Sequence, residues 1–200
     1  MHRNAVAFDR ERAARFNEWA GETLPLIVPL LNIDRGHVVA DVGAGGGAFT
    51  VAFARAAGPT GRAVAIDSYP EMLAFVTDYA AEALDPADGT VETLLLPHSG
   101  ENMPVKAFDL VFMRQVYHHL DEPAEYLSKV RDALKPGGRV AIIDFIPGSG
   151  HGPTGHAVSE DEIRRTAGSI GLELTERFDS LTEFGRSFTI YRVHTSRIDD

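Results

Sequence analysis

Apolar and polar positions alternate between two kinds of segment along most of the chain. Short unbroken apolar runs predict buried strands, and longer runs with apolar residues three or four apart predict amphipathic helices. After residue 34 these patterns predict strands at 37–42, 62–67, 90–96, 107–113 and 138–145, and helices at 46–57, 70–84 and 122–134. Because buried strands mostly alternate with helices, the chain is predicted to form a parallel sheet with helices on both faces.

The two ends of the chain depart from this alternation. Residues 9–20 and 22–32 predict two helices before the core, the second made irregular by its prolines. After a helix at 160–170, residues 172–181 and 186–195 predict two strands joined by a short turn. A hairpin requires antiparallel pairing, so the sheet is expected to end in a reversed strand.

Several polar residues stand where helices are predicted to begin, and one segment lacks any regular pattern. Ser68 and Ser159 each precede a glutamate by three residues, which is the spacing of a capping box. Asp121 is a candidate cap for the helix that begins near Pro123. The Gly- and Pro-rich residues 146–158 predict a loop that can act as a lid.

Length and composition predict one domain over residues 1–200, with 1–33 as an N-terminal helical cap and 34–200 as the core. No apolar run has the length needed to span a membrane. The first residues carry charges where a signal peptide has an apolar segment. We therefore expect a cytoplasmic protein that is not attached to a membrane.

Charge and cysteine content exclude further classes of function. The formal net charge is −10, which disfavours binding to nucleic acid because an acidic surface repels the phosphate backbone. The chain has no cysteine, which excludes disulfides, thiolate nucleophiles and sulfur ligands for metals.

Residues 38–47, VVADVGAGGG, carry the strongest chemical signal in the chain. An apolar run ends in Asp41, and glycines follow at positions 43, 45 and 47 before an alanine-rich helix. Glycines allow a sharp turn and a close approach of the backbone to a ligand. The N-terminus of the following helix directs amide N–H groups to the same place. This order of strand, glycine loop and helix predicts a site for a nucleotide-type cofactor.

Two carboxylates indicate which cofactor this site binds. Asp67 ends the second predicted strand, where a carboxylate can accept hydrogen bonds from both ribose hydroxyls of an adenosine. Asp41 would repel a pyrophosphate but would attract a cofactor that carries an ammonium and a sulfonium group. The glycine spacing also fits a dinucleotide fingerprint, so an NAD(P)-dependent oxidoreductase remains an alternative. A non-catalytic module that only binds the cofactor is a second alternative.

Four motifs in this order resemble class I S-adenosylmethionine-dependent methyltransferases. They are residues 41–47 (DVGAGGG) with Asp67, 108–111 (FDLV), 116–120 (VYHHL) and 134–138 (LKPGG). The resemblance implies an α/β, Rossmann-like three-layer sandwich with a mostly parallel seven-stranded sheet. The implied strand order is 3-2-1-4-5-7-6, with strand 7 antiparallel. It also implies that the helices before residue 33 cover the cofactor.

The resemblance and the glycine loop together predict a set of residues that bind S-adenosyl-L-methionine and its product S-adenosyl-L-homocysteine. They are Asp41, Gly43, Ala44, Gly45, Gly47, Asp67, Ser68, Met72, Ser99, Gly100, Glu101 and Arg114. Ser99 stands where many relatives have an acid beside the adenine amino group. For Arg114, a polar group of the substrate is the alternative ligand.

Transfer of the methyl group needs a general base only when the acceptor arrives protonated. His118 and His119 follow the fourth strand, at the edge where open α/β sheets bind ligands, and are the candidate catalytic residues. Because neighbouring helical residues point about 100° apart, only one of them is expected to take the proton.

The predicted acceptor is a small molecule with an O, N or C nucleophile, since the chain has no evident insertion for docking a macromolecule. The candidate substrate-binding residues are Tyr117, His118, Asp144, His151 and His156. The spacing of the histidines fits no compact ligand motif, so no metal is expected. We expect a monomer or a homodimer.

Overall fold

Seven strands form a single sheet in the computed structural model, which describes residues 10–151 and 157–194. The strands are β1 (Val38–Val42), β2 (Arg62–Asp67), β3 (Thr90–Leu95), β4 (Phe108–Arg114), β5 (Leu134–Phe145), β6 (Leu172–Phe178) and β7 (Arg186–Val193). Their order is 3-2-1-4-5-7-6. All pairs are parallel except those of β7, which runs antiparallel to both neighbours. The predicted topology is confirmed.

Five helices flank this sheet within the described residues. They are α1 (Arg10–Ile27), α2 (Ala48–Ala57), α3 (Pro70–Ala83), α4 (Pro123–Ala133) and α5 (Glu160–Ser169). Short 3-10 turns cover Val28–Leu31, Tyr117–His119 and Thr182–Phe184.

The direction in which successive strands are added to the sheet reverses between β1 and β4, near the centre of the sheet. From β1 the chain continues to β2 and β3 on one side, and β4 pairs with β1 on the other side. In open α/β sheets, ligands bind in the crevice at the carboxyl ends of the strands where the order reverses. The topology therefore positions a ligand site at the carboxyl ends of β1 and β4.

Each face of the sheet is buried by its own layer of helices. On one face, Ile27 of α1 and Phe53 of α2 pack with Phe112 of β4, all fully buried. On the other face, Leu127 of α4 and Ile163 of α5 are equally buried. The three-layer arrangement follows from strands that are apolar on both sides.

The N-terminal segment forms one helix, so the prediction of two separate helices was wrong. Helix α1 continues through Gly21 and contains Pro25. Its buried residues Ala13, Ala20 and Ile27 lie seven positions apart and so share one face of the helix. Burial of this continuous face against the core outweighs the local helix-breaking signals.

The capping predictions had mixed outcomes. The side chain of Ser159 accepts a hydrogen bond from the Glu162 amide at 3.1 Å, so this cap is confirmed. Ser68 does not cap α3, because Tyr69 occupies the cap position and makes no side-chain hydrogen bond there. Asp121 does not cap α4 either, since residue 122 occupies the cap position without a side-chain hydrogen bond.

Strand boundaries also differ from the prediction. β5 begins at Leu134, directly after α4, instead of at residue 138. Gly137 has a left-handed conformation, φ +79°, within an irregularity of the β4–β5 pairing. The last two strands end earlier than expected, at Phe178 and Val193.

Helix α1 is fastened across the beginning of α2 by one side chain. Asn17 Oδ1 accepts a hydrogen bond from the Ala48 amide at 2.9 Å, and its Nδ2 donates to the Gly46 carbonyl at 2.8 Å. Asn17 therefore performs the role of a helix cap from a distant part of the chain.

We expect Asn17→Ala to lower the free energy of unfolding by about 1–2 kcal/mol, because it removes a cap and leaves a half-buried amide without its partner. Urea unfolding measures this loss. Glu18→Ala is the matched control, since Glu18 is the exposed neighbour on the same helix. Equal stabilities of the two variants would contradict the capping role.

Candidate active site

The turn between β1 and α2 has the conformation that its glycines allow. Gly43, Gly45 and Gly47 have φ values of +67°, +56° and +84°. A Cβ at Gly43 would stand 2.6 Å from Val116 Cγ2, and one at Gly47 would stand 2.9 Å from Val76 Cγ1. Both strain and crowding therefore exclude larger residues at these positions. Ala44, predicted with them, is half-buried in the same turn.

Gly46 is a tightly packed position that the sequence analysis did not single out. A Cβ there would stand 2.3 Å from both the Ala13 carbonyl oxygen and Asn17 Oδ1. The consecutive glycines at 45–47 were a visible signal, but the close approach of α1 was not.

Asp67 lies at the carboxyl end of β2 and is tied to the same turn. Its Oδ1 accepts hydrogen bonds from the amides of Ser68 at 2.8 Å and Tyr69 at 3.2 Å. Burial raises the pKa of Asp67, and the amides of Tyr69, Ser68 and Gly45 oppose that rise. The Gly43 amide donates a hydrogen bond to the carbonyl of Ile66, the residue before Asp67, at 2.8 Å, so the predicted ribose-binding acid lies beside the glycine turn.

Asp41 is almost fully buried at the end of β1. Its Oδ2 accepts a hydrogen bond from Thr50 Oγ1 at 2.6 Å. Burial raises the pKa of Asp41 to about 7, against the opposing effects of the Thr50 hydrogen bond and the charge of Arg114; Asp67 adds to the rise. The charge of Asp41 is therefore sensitive to any cation that binds beside it.

Exposed polar and aromatic side chains surround the end of β2. Ser68 Oγ lies 3.2 Å from His98 Nε2, and the rings of Tyr69 and His98 meet edge to face with centroids 5.7 Å apart. Met72, in the first turn of α3, is half-buried. Tyr69 and His98 were not predicted as site residues. Tyr69 is two residues from Asp67 in the sequence, which is a signal that could have identified it, whereas only the fold brings His98 to this place.

The segment beyond β3 is held against α4. Gly100 has φ +69°, and a Cβ on it would stand 2.8 Å from the Tyr126 ring. The Ser99 carbonyl accepts a hydrogen bond from Lys129 Nζ at 2.8 Å, and Ser99 Oγ accepts one from the Glu101 amide at 3.4 Å. Ser99 and Glu101 are exposed. Their predicted contact with the cofactor stays a prediction.

His118 and Asp144 form a buried pair between the ends of β4 and β5. His118 Nδ1 lies 2.6 Å from Asp144 Oδ1, and their side chains are 3% and 0% exposed. Asp144 Oδ2 accepts a hydrogen bond from the His118 amide, and Oδ1 accepts one from the Phe145 amide. A carboxylate surrounded by N–H groups acts as an acceptor, so Nδ1 carries the proton and Nε2 is the basic nitrogen.

His119 differs from its neighbour in exposure. Its ring centroid lies 4.0 Å from that of His118, and the residue is exposed to solvent. The histidine segment lies beside the glycine turn, because Val116 closely approaches Gly43. The two candidate catalytic histidines therefore have different positions, one buried on a carboxylate and one at the surface.

The remaining candidate substrate residues are separated. Tyr117 is buried in the core, where its hydroxyl donates a hydrogen bond to Thr166 of α5 at 2.9 Å. Its predicted contact with the substrate stays a prediction. His151 is exposed and lies against Gly185 in the β6–β7 turn. His156 lies outside the described residues.

Arg114 ends β4, and its guanidinium lies over the Phe49 ring at 5.4 Å. Burial and the charge of Arg186 lower its pKa to about 10, against the charge of Asp41. Over residues 10–151 and 157–194, no group of three or more potential ligands could hold a metal ion. Within the same ranges, no helix has the length and apolar character needed to cross a membrane.

The chain is similar in sequence to known methyltransferases. Residues 40–142, just over half of the chain, match the model of a methyltransferase domain. A ubiquinone/menaquinone biosynthesis C-methyltransferase, UbiE, of Burkholderia multivorans is 34% identical over 114 residues. This match covers 57% of the chain and 45% of the relative. The chain thus spans less than half the length of this curated relative.

Solved structures show the same fold. A SAM-dependent methyltransferase from Aquifex aeolicus superposes with a TM-score of 0.79 at 21% identity, covering 94% of this chain and all of the other. An arsenic(III) S-adenosylmethionine methyltransferase from Chlamydomonas reinhardtii gives 0.60 at 21% identity, covering 82% and 65%. Together with the domain match, these results show that the chain belongs to the class I S-adenosylmethionine-dependent methyltransferase family.

Proposed function

We propose that residues 1–200 form one methyltransferase domain that transfers a methyl group from S-adenosylmethionine to a small molecule. The observation that carries this proposal is the packing of Val116 on Gly43. It brings the segment with the buried His118–Asp144 pair directly beside the glycine turn. A cofactor in the turn and an acceptor at the histidines would then be neighbours, which supplies the proximity that methyl transfer needs.

The residues at the turn fit the proposed cofactor. The turn has three left-handed glycines, and two carboxylates lie beside it, Asp41 buried and Asp67 half-buried. Asp67 would accept hydrogen bonds from the ribose hydroxyls, and Asp41 would favour the positive charges of the methionine portion. When bound, the cofactor would supply a methyl group carried on a positively charged sulfur. The acceptor atom would bond to the methyl carbon, and the electron pair of the broken C–S bond would remain on sulfur.

We assign the proton-accepting role to Nε2 of His118. Asp144 holds the ring through Nδ1 and stabilises the imidazolium that forms when Nε2 takes a proton from the acceptor. The exposed ring of His119 lies over that of His118, so an acceptor meets His119 first. The His118 side chain is only 3% exposed, so the acceptor would reach it only after His119 has moved.

The proposed acceptor is a small molecule whose nucleophile is carbon, oxygen or nitrogen. The matched relatives are named C-methyltransferases of quinone biosynthesis, which favours carbon. A hydroxyl that loses its proton to His118 would supply electron density to such a carbon. The cytoplasmic location, and the monomeric or dimeric state, stay predictions.

Calorimetry tests the cofactor assignment directly. We expect the protein to bind S-adenosylhomocysteine and not NAD. Asp67→Ala should weaken binding by roughly 10–100-fold, because hydrogen bonds from a charged acceptor to the ribose are lost. Glu82→Ala, at an exposed site on α3, is the control. Tight binding of NAD in place of S-adenosylhomocysteine would favour an oxidoreductase instead.

Cofactor affinity is expected to depend on pH through Asp41. The free protein holds a proton on Asp41 below pH 7, since burial raises its pKa to about 7. A cationic ligand prefers the ionised carboxylate, so affinity for S-adenosylmethionine should rise about tenfold between pH 5.5 and 7. Calorimetry across this range measures the rise, and Asp41→Asn should abolish it.

The stability of the ligand-free protein gives an independent measure of the same ionisation. The folded state binds the Asp41 proton more tightly than the unfolded chain, whose aspartate has its ordinary pKa of 3.8. The free energy of unfolding of the protein, compared with that of the Asp41→Asn variant, should therefore fall as pH rises from 4 to 7. A constant difference in urea unfolding across this range would contradict the shifted pKa.

Variants of the two histidines separate their roles. With an acceptor identified from hydroxylated small molecules, His118→Asn should lower kcat by about 10²–10⁴-fold, the usual contribution of a general base. His119→Ala should change mainly the KM of the acceptor. His194→Asn is the control. The beginning of β7 pairs with Asp144, whereas His194 follows the other end of this strand. Loss of kcat in His119→Ala alone would reverse the assignment.

A further inference from the structure

Two arginines lie on one face of the sheet at its carboxyl edge. Arg114 ends β4, Arg186 begins β7, and β5 lies between these strands and pairs with both. Side chains two residues apart in a strand point to the same face of the sheet. Arg114 therefore shares the face of Phe112, and Arg186 shares that of Phe188. Both guanidinium groups are therefore on the face covered by α1 and α2, beyond the ends of the strands.

The charges of these arginines are not neutralised by ion pairs with any part of the chain that the structure describes. Arg114 donates no hydrogen bond there, and its Nε is buried without a partner. Arg186 is bound by neutral groups: the Gln115 amide oxygen, turned towards it, accepts from Nε at 2.7 Å and Nη2 at 3.1 Å. The Phe184 carbonyl accepts from Nη1 at 3.4 Å.

The two cations also act on each other. Arg114 pairs with Ile143 and Arg186 with Phe145, so the two arginines flank β5 only two residues apart along the strand. The charge of Arg186 lowers the pKa of Arg114. Two half-buried like charges without a counter-ion are costly, and an anion placed between them would remove that cost. Each guanidinium group also packs on an aromatic ring, that of Arg114 over Phe49 and that of Arg186 over Phe145.

The nearest acids do not supply this counter-ion. Asp41 acts on Arg114 through space, but its Oδ2 is hydrogen-bonded to Thr50. Glu22 of α1 acts on Arg186 only through space. Asp144 has its oxygens occupied by His118 and the Phe145 amide.

We propose that Arg114 and Arg186 bind a carboxylate of the methyl acceptor, an inference that rests on the proposed methyltransferase function. A planar carboxylate matches the fork of a guanidinium and can pair with two donors at once. A single negative charge also suits the site better than a dianion, because Asp41 and Glu22 stand nearby. The aromatic rings beneath the arginines favour an acceptor with a flat apolar body.

The position of Arg186 assigns this anion to the acceptor. The glycine turn and Asp67 lie at the ends of β1 and β2, whereas β7 is three strands from β1 in the sheet. Arg186 is adjacent instead to β5, which carries Asp144 of the histidine pair. Arg114 lies between the two regions, so it is the residue whose variant must distinguish cofactor from acceptor.

Calorimetry with the complex of the protein and S-adenosylhomocysteine tests the proposal, with benzoate as the probe and benzamide as its neutral analogue. We expect benzoate to bind about 10–100-fold more tightly, the equivalent of one or two charge-assisted hydrogen bonds. Arg114→Gln and Arg186→Gln should each remove most of this difference. Arg164→Gln, at an exposed position of α5, should retain it.

The outcomes separate this proposal from the proposed function. Equal binding of benzoate and benzamide overturns the carboxylate site, as does tighter binding of phenyl phosphate. Weakened binding of S-adenosylhomocysteine by Arg114→Gln, with benzoate binding unchanged, assigns Arg114 to the cofactor and also overturns it. If the unmodified protein fails to bind S-adenosylhomocysteine, the proposed function fails. The benzoate comparison then applies to the ligand-free protein.

Discussion

The backbone turn from β1 into α2 is the constraint on which the site depends. A Cβ on Gly43, Gly46 or Gly47 would crowd its neighbours, so other groups can approach the main chain closely only because these residues are glycines. Three such groups use this space: Asn17 from α1, the Asp67 carboxylate from β2 and Val116 from the segment after β4. The turn therefore connects the N-terminal helix, the proposed cofactor acids and the proposed catalytic segment.

The buried charges are divided along the carboxyl edge of the sheet. Carboxylates lie at the ends of β1 and β2, where burial raises the pKa values of Asp41 and Asp67. Guanidinium groups lie at the ends of β4 and β7, where burial lowers the pKa values of Arg114 and Arg186. Each side thus retains charge at a desolvation cost that a ligand of opposite sign would reduce. This division is consistent with a cationic cofactor on one side and an anionic acceptor on the other.

The three residues after Val116 show how a short turn gives neighbours separate environments. Tyr117 enters the core and bonds to α5, His118 pairs with Asp144, and His119 faces solvent. In a 3-10 turn, successive side chains point about a third of a turn apart, so one segment can serve packing and chemistry together. The contacts of Tyr117 in the core and of His118 with Asp144 fix the turn, and the fixed turn determines the position of His119.

The sequence alone located the core strands and the glycine turn, because apolar runs and glycine spacing are properties of short stretches of chain. The strand order followed from the resemblance to the methyltransferase family. It did not reveal that α1 is continuous, that Asn17 caps α2 or that Tyr117 is buried. The pairing of His118 with Asp144 and the placement of Arg114 and Arg186 on either side of β5 also depended on the fold. These features join residues far apart in the chain, and only the packing of helices and the register of strands brings them together.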